Sequence, residues 1–383
     1  MGIGTDTQPN ALLLSMVMLF GFKNKKINGP IIALWITFLF SLFLFFDSKL
    51  GAFDSIKLCF NYLSPAVIAF ASFTVFDKTK FRISYRFFLT CILIYFFVGF
   101  IQTYFIPDFL AFLLNGNARG NMAGGRGVVS LCSEPAFYGS MCLFFMAIAL
   151  INFNKKENYI LIPILLFQLF ALSKTATGIG LLIIAFVIFS IVQLFKLKFK
   201  PFIILGSMAL VSSIAFNHVI NSYEDSRVVT VANQFVKNPM LIAQVDASAS
   251  VRFTGSLAPY LNFKHNHFLP MGFGRYQEFL IQLYHEGQYL ALLTRRTIME
   301  KDRLGGSINM ILFQLGFLDL LFPFAIYRSF KGLMHQPAAV FAFILFVVLL
   351  FSQIQLMNAI IGFTIGLALI KSKDIHTKEE AIV

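Results

Sequence analysis

The stretch PIIALWITFLFSLFLFF (Pro30–Phe46) decides the fold, because it contains no charged residue along its whole length. A helix that crosses a bilayer needs about 20 predominantly apolar residues, and fewer when its ends are anchored at the membrane surface. Similar apolar runs recur along the chain. Such runs form helices in a bilayer, since every backbone polar group must be satisfied within the segment. The sequence therefore predicts an all-α polytopic membrane protein.

The composition excludes a soluble globular protein. Of 383 residues, 58% are hydrophobic and 13% are charged, and the mean hydropathy is +0.77, far above what a water-exposed surface tolerates. The cysteines contain no C-x-x-C pair and mostly lie in apolar runs, so neither a disulfide framework nor a zinc module is indicated; they are Cys59, Cys91, Cys132 and Cys142. We expect residues 1–383 to form a single integral membrane domain.

The apolar runs predict about eleven spans, within a range of about ten to twelve. Their predicted limits are Ala11–Phe22, Pro30–Phe46, Ile56–Phe76, Phe87–Ile106, Pro135–Ile151, Tyr159–Leu172, Gly178–Phe195, Pro201–Phe216, Ser307–Ile326, Ala338–Phe351 and Leu356–Ile370. Gln353 and Gln355 interrupt the last pair, so a re-entrant hairpin is an alternative there.

The net charge of +13 reflects topology rather than nucleic-acid binding, because the basic residues collect in alternate connections. Loops rich in Lys and Arg are cytoplasmic. The basic residues that this rule assigns to the cytoplasm are Lys23, Lys25, Lys26, Lys78, Lys80, Arg82, Arg86, Lys155, Lys156, Lys196, Lys198, Lys200, Arg328, Lys331, Lys371, Lys373 and Lys378. The N-terminus then lies outside, and Gly2–Asn10 lacks the pattern of a signal peptide. Such a start predicts a further helix upstream or an earlier true start.

The first polar feature on the outer face is the loop 107–134. Its sequence NGNARGNMAGGRGVVSLCSEPAFYG (Asn115–Gly139) places Arg119 and Arg126 among glycines and Glu134 directly before a proline. A carboxylate before the first turn of a helix is favoured by the helix dipole, so Glu134 has one interpretation as a cap. An ionisable group at the mouth of a span, near two arginines, equally indicates a functional site.

The second feature is the short outer turn SKTATG (Ser173–Gly178). Lys174 has one interpretation as a lysine that extends to the membrane interface. The following helix N-terminus, with its two threonines, could instead hold a phosphate beside the ammonium group.

The third feature is a large outer loop, 218–306, whose length favours a function. Arg252 opens the run RFTGSLAPYLNFKHNHFLPMGFGRY, which also contains His265, His267, Gly272, Gly274 and Arg275. No nearby carboxylate completes a ligand set for the two histidines, so we expect no metal and assign them hydrogen-bonding roles. The arginines form either a solvated charged face or, since the guanidinium fork matches a diphosphate, a site for a lipid diphosphate.

Two of these motifs resemble those of a known family. Ser133-Glu134-Pro135 at the outer start of a span resembles a motif of Wzy-type O-antigen polymerases, and Arg252 about twenty residues before Gly272-x-Gly274 resembles the wider O-antigen polymerase and ligase superfamily. GTDTQP, SKTATG and GSINMILFQLGFLDLL (Gly306–Leu321) support the resemblance. Ligases of this superfamily carry a His-Asn pair before the returning helix, where this chain has Ser307 and Asn309, so the polymerases are favoured.

The resemblance implies a GT-C-like membrane fold in the inner membrane of a Gram-negative bacterium, with a periplasmic active site and no cofactor. It implies undecaprenyl-diphosphate-linked glycans as substrates and a chain-length regulator protein as a further partner. The predicted catalytic residues are Arg252, Glu134 and His267. The predicted diphosphate-binding residues are Arg126, Arg119, Arg275 and Lys174, and the predicted substrate-binding loop contains Gly272, Gly274 and His265.

Other function classes remain open. An O-antigen ligase that transfers glycan to lipid A-core is one alternative. A transporter of lipid-linked glycans is a weaker one, because coupled transport needs ionisable groups along the spans. Asp319 is the only acidic residue well inside an apolar run. A non-catalytic scaffold would not need arginines and a glutamate gathered on one face.

Overall fold

The computed structural model describes residues 9–23, 25–114, 127–195, 247–285, 304, 306–352 and 354–380. Throughout those residues the regular structure is helical, without a strand. The principal helices are α1 Pro9–Gly21, α2 Gly29–Phe46, α3 Ala52–Thr79, α4 Tyr85–Tyr104, α5 Pro135–Asn152, α6 Lys155–Phe167, α7 Ala176–Phe195, α8 Ala247–His265, α9 Tyr276–His285, α10 Ser307–Leu315, α11 Leu321–Phe330, α12 Pro337–Phe351 and α13 Ala359–Glu380. The protein is thus a helical, multi-pass membrane protein.

Six helices of the described residues are long and apolar enough to cross a membrane. They are α2, α3, α4, α5, the segment Lys155–Ser173 and α7. The described residues therefore hold fewer full-length spans than the eleven predicted. The apolar part of α1 and all of α12 are shorter than a full span, and the predicted span Pro201–Phe216 lies outside the described residues.

The predicted span Ser307–Ile326 is not one straight helix. Its two halves, Ser307–Leu318 and Leu321–Leu333, meet at an angle of 113°. The break follows from Gly316, whose φ of +57° and ψ of −130° are open to glycine and costly for any other residue. The segment is a broken span or a re-entrant element, and it brings the count of candidate spans to seven at most.

The described residues divide into two compact units. The first contains α4 to α7 and most of α12. Helix α5 lies at its centre, because most of the apolar stretch of α5 is buried, whereas only about a quarter is buried in α4 and α7. Asn152 at the end of α5 donates a hydrogen bond to the carbonyl of Ile83, just before α4. The end of α5 therefore lies beside the start of α4, and these two helices run antiparallel.

The second unit contains α1 to α3, α8 to α11 and α13, and α3 is its most buried span. Gly362 and Gly366 of α13 lie against α3, where added Cβ atoms would approach the Pro65 carbonyl and Ala69 backbone. Small residues four positions apart allow two membrane helices to approach closely. At the end of α3, Arg82 forms a two-pronged ion pair with Asp374, with nitrogen to oxygen distances of 3.0 and 2.7 Å.

The predicted outer loop 218–306 contains two helices in its described part, α8 and α9. They pack with α10 around a small apolar core formed by Ala258, Tyr276, Phe279, Leu280, Leu283 and Phe313. Burial raises the pKa of the Tyr276 phenol, so this group stays protonated at neutral pH.

Candidate functional site

Glu134 lies at the N-cap position of α5, half-buried, with Pro135 as the first helical residue. Its side chain accepts no capping hydrogen bond from the helix. Glu134 therefore occupies the N-cap position expected from the sequence, where the helix dipole favours a carboxylate, without donating or accepting a capping hydrogen bond through its side chain. The helix does not depend on a hydrogen bond to the Glu134 carboxylate.

Lys174 follows a π-helical turn, Gln168–Ser173, that ends the preceding span. Its backbone has φ +43° and ψ +33°, the left-handed conformation, and its side chain is exposed. Single π turns and left-handed non-glycine residues are both uncommon, and both concentrate at functional sites. Together they end the span sharply and direct the chain into α7.

The segment before Glu134 and the turn at Lys174 pack against each other. The Val128 amide donates a hydrogen bond to the Leu172 carbonyl at 3.0 Å. Gly127 lies so close to the Ser173 carbonyl that a side chain would not fit. Gly139 of α5 leaves room for the Thr175 methyl group. The structure thus brings together the two segments that contain the SEP and SKTATG motifs.

Gln102 and Ser130 are residues that the sequence-based reasoning did not select. The Gln102 side chain, 1% exposed, accepts a hydrogen bond from the Ser130 amide at 2.7 Å and donates to the Ser130 carbonyl at 3.1 Å. A buried polar side chain inside a span is itself a signal of function, and Gln102 could have been found in this way.

The second unit contains the loop between α8 and α9, which docks on the broken span. The amides of Met271 and Gly272 donate to the carbonyls of Phe313 and Gln314, and the Phe317 amide donates to the Phe268 carbonyl. These bonds satisfy backbone groups that the break would otherwise expose. Tyr62 of α3 also donates to the Gln314 side chain, at 2.6 Å.

Gly272 and Gly274 have φ values of +85° and +77°, which explains the glycine spacing of this loop. Gly274 also packs on Leu50. The Arg275 guanidinium forms an ion pair with Asp47 at 2.7 Å, a partner that the sequence did not suggest. This pair holds the loop to the α2–α3 connection, and the diphosphate role of Arg275 stays a prediction.

The histidines and the remaining arginines are only partly described. His267 is exposed and has a left-handed backbone, with φ +49°. Arg252 and His265 lie on α8, near its start and at its end. Arg119 and Arg126 lie outside the described residues. In the part of the chain that is described, no group of three or more His, Cys, Asp or Glu residues could hold a metal ion.

The predicted residues therefore fall into two sets. Glu134 and Lys174 belong to the first unit, whereas Arg252, His267 and Arg275 belong to the second. Neither protein family models nor curated proteins match the chain, so these comparisons assign it to no family.

Proposed function

We propose that the protein is a polymerase that joins undecaprenyl-diphosphate-linked oligosaccharide units into O-antigen or a related surface polysaccharide. The proposal includes a GT-C-like fold with about eleven spans, in which the shorter helices also cross the membrane. It assigns the reaction to the periplasmic face of a Gram-negative inner membrane, and it assigns chain length to a separate regulator protein.

The observation that carries the proposal is the contact between the loop ending at Glu134 and the turn containing Lys174. A carboxylate and an ammonium group on adjoining segments supply the two functions that the reaction requires. One group accepts a proton from the acceptor hydroxyl, and the other balances the negative charge of the diphosphate. The resemblance of the SEP motif and of the Arg252–Gly274 run to the polymerases supports the same assignment.

The reaction needs no oxidant and no metal ion. A hydroxyl at the non-reducing end of one lipid-linked unit attacks the anomeric carbon of the growing chain. A carbon–oxygen bond forms there, and the bond from the anomeric carbon to the diphosphate oxygen breaks, with its electron pair leaving on undecaprenyl diphosphate. Glu134 takes the hydroxyl proton, with His267 and His265 as further candidates. Arg252, Lys174, Arg126, Arg119 and Arg275 stabilise the departing diphosphate.

Deletion of the gene tests this proposal. Loss of a polymerase leaves lipid A-core carrying at most one repeat unit, because capping continues while chain growth stops. The lipopolysaccharide ladder on a gel reads this directly. A normal long ladder together with unchanged capsule and exopolysaccharide would refute the proposal.

A transporter of lipid-linked glycans is the second candidate, and the break at Gly316 favours it. Discontinuous membrane helices form the binding sites of many transporters. Loss of a transporter, or of a ligase, removes even the single capped unit. Purified protein then distinguishes these classes, because only a polymerase lengthens lipid-linked units in detergent.

A further inference from the structure

A buried hydrogen-bond network holds the segment before Glu134 in an unusual conformation. Ser130 has φ +51°, a left-handed conformation that is unfavourable for a residue with a side chain. The backbone N–H and the backbone carbonyl of Ser130 both form hydrogen bonds with the Gln102 carboxamide. A neighbouring β-strand would pair the two groups in the same way. The same carboxamide donates to the Phe109 carbonyl at 2.8 Å. Gln102 therefore fixes the path by which the chain reaches α5.

The network extends from this loop to the π-helical turn. The Tyr95 carbonyl accepts hydrogen bonds from the Ser130 hydroxyl at 2.8 Å and from the Tyr138 hydroxyl at 3.2 Å. The Tyr138 hydroxyl also lies 2.9 Å from the carboxamide oxygen of Gln168, so its proton is shared between two acceptors. Gln168 is the first residue of the turn that ends before Lys174.

The burial of these groups makes the network hard to replace. Tyr138 is completely buried, and Gln102 and Gln168 are each 1% exposed. Polar side chains are expensive in such an environment, and each lost partner leaves another group unsatisfied. Apolar side chains would support the three helical segments that the network joins, α4, α5 and the segment Lys155–Ser173, at lower cost. The network therefore indicates a requirement for geometry rather than for stability.

We infer that Gln102 and Tyr138 are positioning residues that hold Glu134 and Lys174 in their reactive arrangement. The inference rests on the proposed function. Neither side chain needs to touch substrate: Gln102 acts through Ser130 and the loop to Glu134, and Tyr138 acts through Gln168 and the π turn to Lys174. A misplacement of a catalytic group by about 1 Å costs about 100-fold in rate.

The test uses the full-length protein with Gln102→Leu and Tyr138→Phe, each alone and combined with Glu134→Gln. The substrate is the lipid-linked repeat unit extracted from the deletion strain. We expect each single variant to lower kcat by about 10- to 100-fold with little change in KM. For Gln102→Leu, little further loss is expected on top of Glu134→Gln, because residues that act as one unit are not additive.

Two matched controls remove hydrogen bonds that lie outside the network. Thr103→Val, next to Gln102, removes a bond to the Gly99 carbonyl of the same helix. Ser140→Ala, near Tyr138, removes a bond to the Ala136 carbonyl. Both should keep the wild-type kcat. The inference would be overturned if Gln102→Leu lowered kcat by the same factor in the wild-type protein and in the Glu134→Gln variant. A wild-type kcat in the Gln102→Leu single variant would also overturn it.

A second measurement does not depend on activity. Cys132 lies in the loop and is 9% exposed, so its labelling by a water-soluble maleimide reports loosening of the loop. We expect labelling to rise in Gln102→Leu and Tyr138→Phe and to stay unchanged in Thr103→Val. Unchanged labelling in the first two would overturn the positioning role. Increased labelling in a protein without polymerase activity would instead refute the proposed function alone. Tyr138→Phe, which loses one hydroxyl, keeps the test decisive if Gln102→Leu does not fold.

Discussion

At the scale of single residues, two N-cap positions differ in a way that bears on function. The Asn154 side chain caps α6 by accepting a hydrogen bond from the backbone N–H of Glu157 at 3.0 Å. The Glu157 carboxylate in turn accepts a hydrogen bond from the backbone N–H of Asn154. Glu134 occupies the same position on α5 without any such bond. Glu134 therefore contributes no capping hydrogen bond to α5, although its charge lies at the end of the helix that the dipole favours for a carboxylate.

Glu134→Gln should lower polymerisation about 100- to 10,000-fold, the range typical for loss of a general base. Its thermal midpoint in detergent should stay close to that of the wild type, because the amide has nearly the same shape as the carboxylate and keeps an oxygen that accepts hydrogen bonds. Asn154→Ala is the control: it should lower stability by about 1 kcal/mol and keep the polymerisation rate per folded molecule. Near-normal polymerisation by Glu134→Gln would exclude the base role.

At the scale of elements, the break between α10 and α11 depends on one glycine and one docked loop. A Cβ atom on Gly316 would collide with the carbonyls of Phe268 and Leu269. Those residues belong to the loop whose amides satisfy the carbonyls at the end of α10. The break and the loop therefore form one structural feature.

Gly316→Ala should destabilise the protein by more than the roughly 1 to 3 kcal/mol of backbone strain alone, because the collision adds to it. The measurement is the thermal midpoint in detergent, with the fraction of monodisperse protein as a second readout. Gly180→Ala in α7 is the matched control, since nothing lies within 4 Å of its added Cβ. It should be neutral or slightly stabilising. Equal stability of the two variants would contradict this account of the break.

At the scale of the whole molecule, the basic residues and the helix directions agree within each unit. In the first unit, the end of α5 meets the start of α4, where Tyr85 and Phe153 pack edge to face at 6.1 Å between ring centroids. Lys155 and Lys156 follow directly. In the second unit, Lys373 pairs with Asp77 at the end of α3. Lys155, Lys156 and Lys373 are among the basic residues that the charge pattern assigns to the cytoplasm.

Reporter fusions at Lys78, Lys155 and Lys198 should be active only as cytoplasmic reporters, and a fusion at Lys264 only as a periplasmic one. The reason is the retention of Lys- and Arg-rich connections on the cytoplasmic side. Paired cytoplasmic and periplasmic reporters at each position provide the control. A cytoplasmic signal from Lys264 would reverse the orientation and remove the proposed site from the periplasm.

The sequence by itself determined the class of the protein and the approximate place of most spans. Apolar runs must become helices in a bilayer, and this requirement is local. Glu134 and Lys174 could be selected because charged residues are few in the short connections assigned to the outer side. The glycine spacing at Gly272 and Gly274 also indicated a special loop, although it did not indicate what the loop contacts.

Only the tertiary structure decided which of these segments meet. The partners of Gln102, Ser130, Tyr138 and Gln168 lie on different helices or in the loop before Glu134, and hydrophobic periodicity contains no information about such pairs. The same holds for Arg275, whose partner Asp47 is distant in sequence. The broken span escaped prediction because its residues are apolar on both sides of Gly316. Its stability comes from hydrogen bonds supplied by a loop elsewhere in the chain.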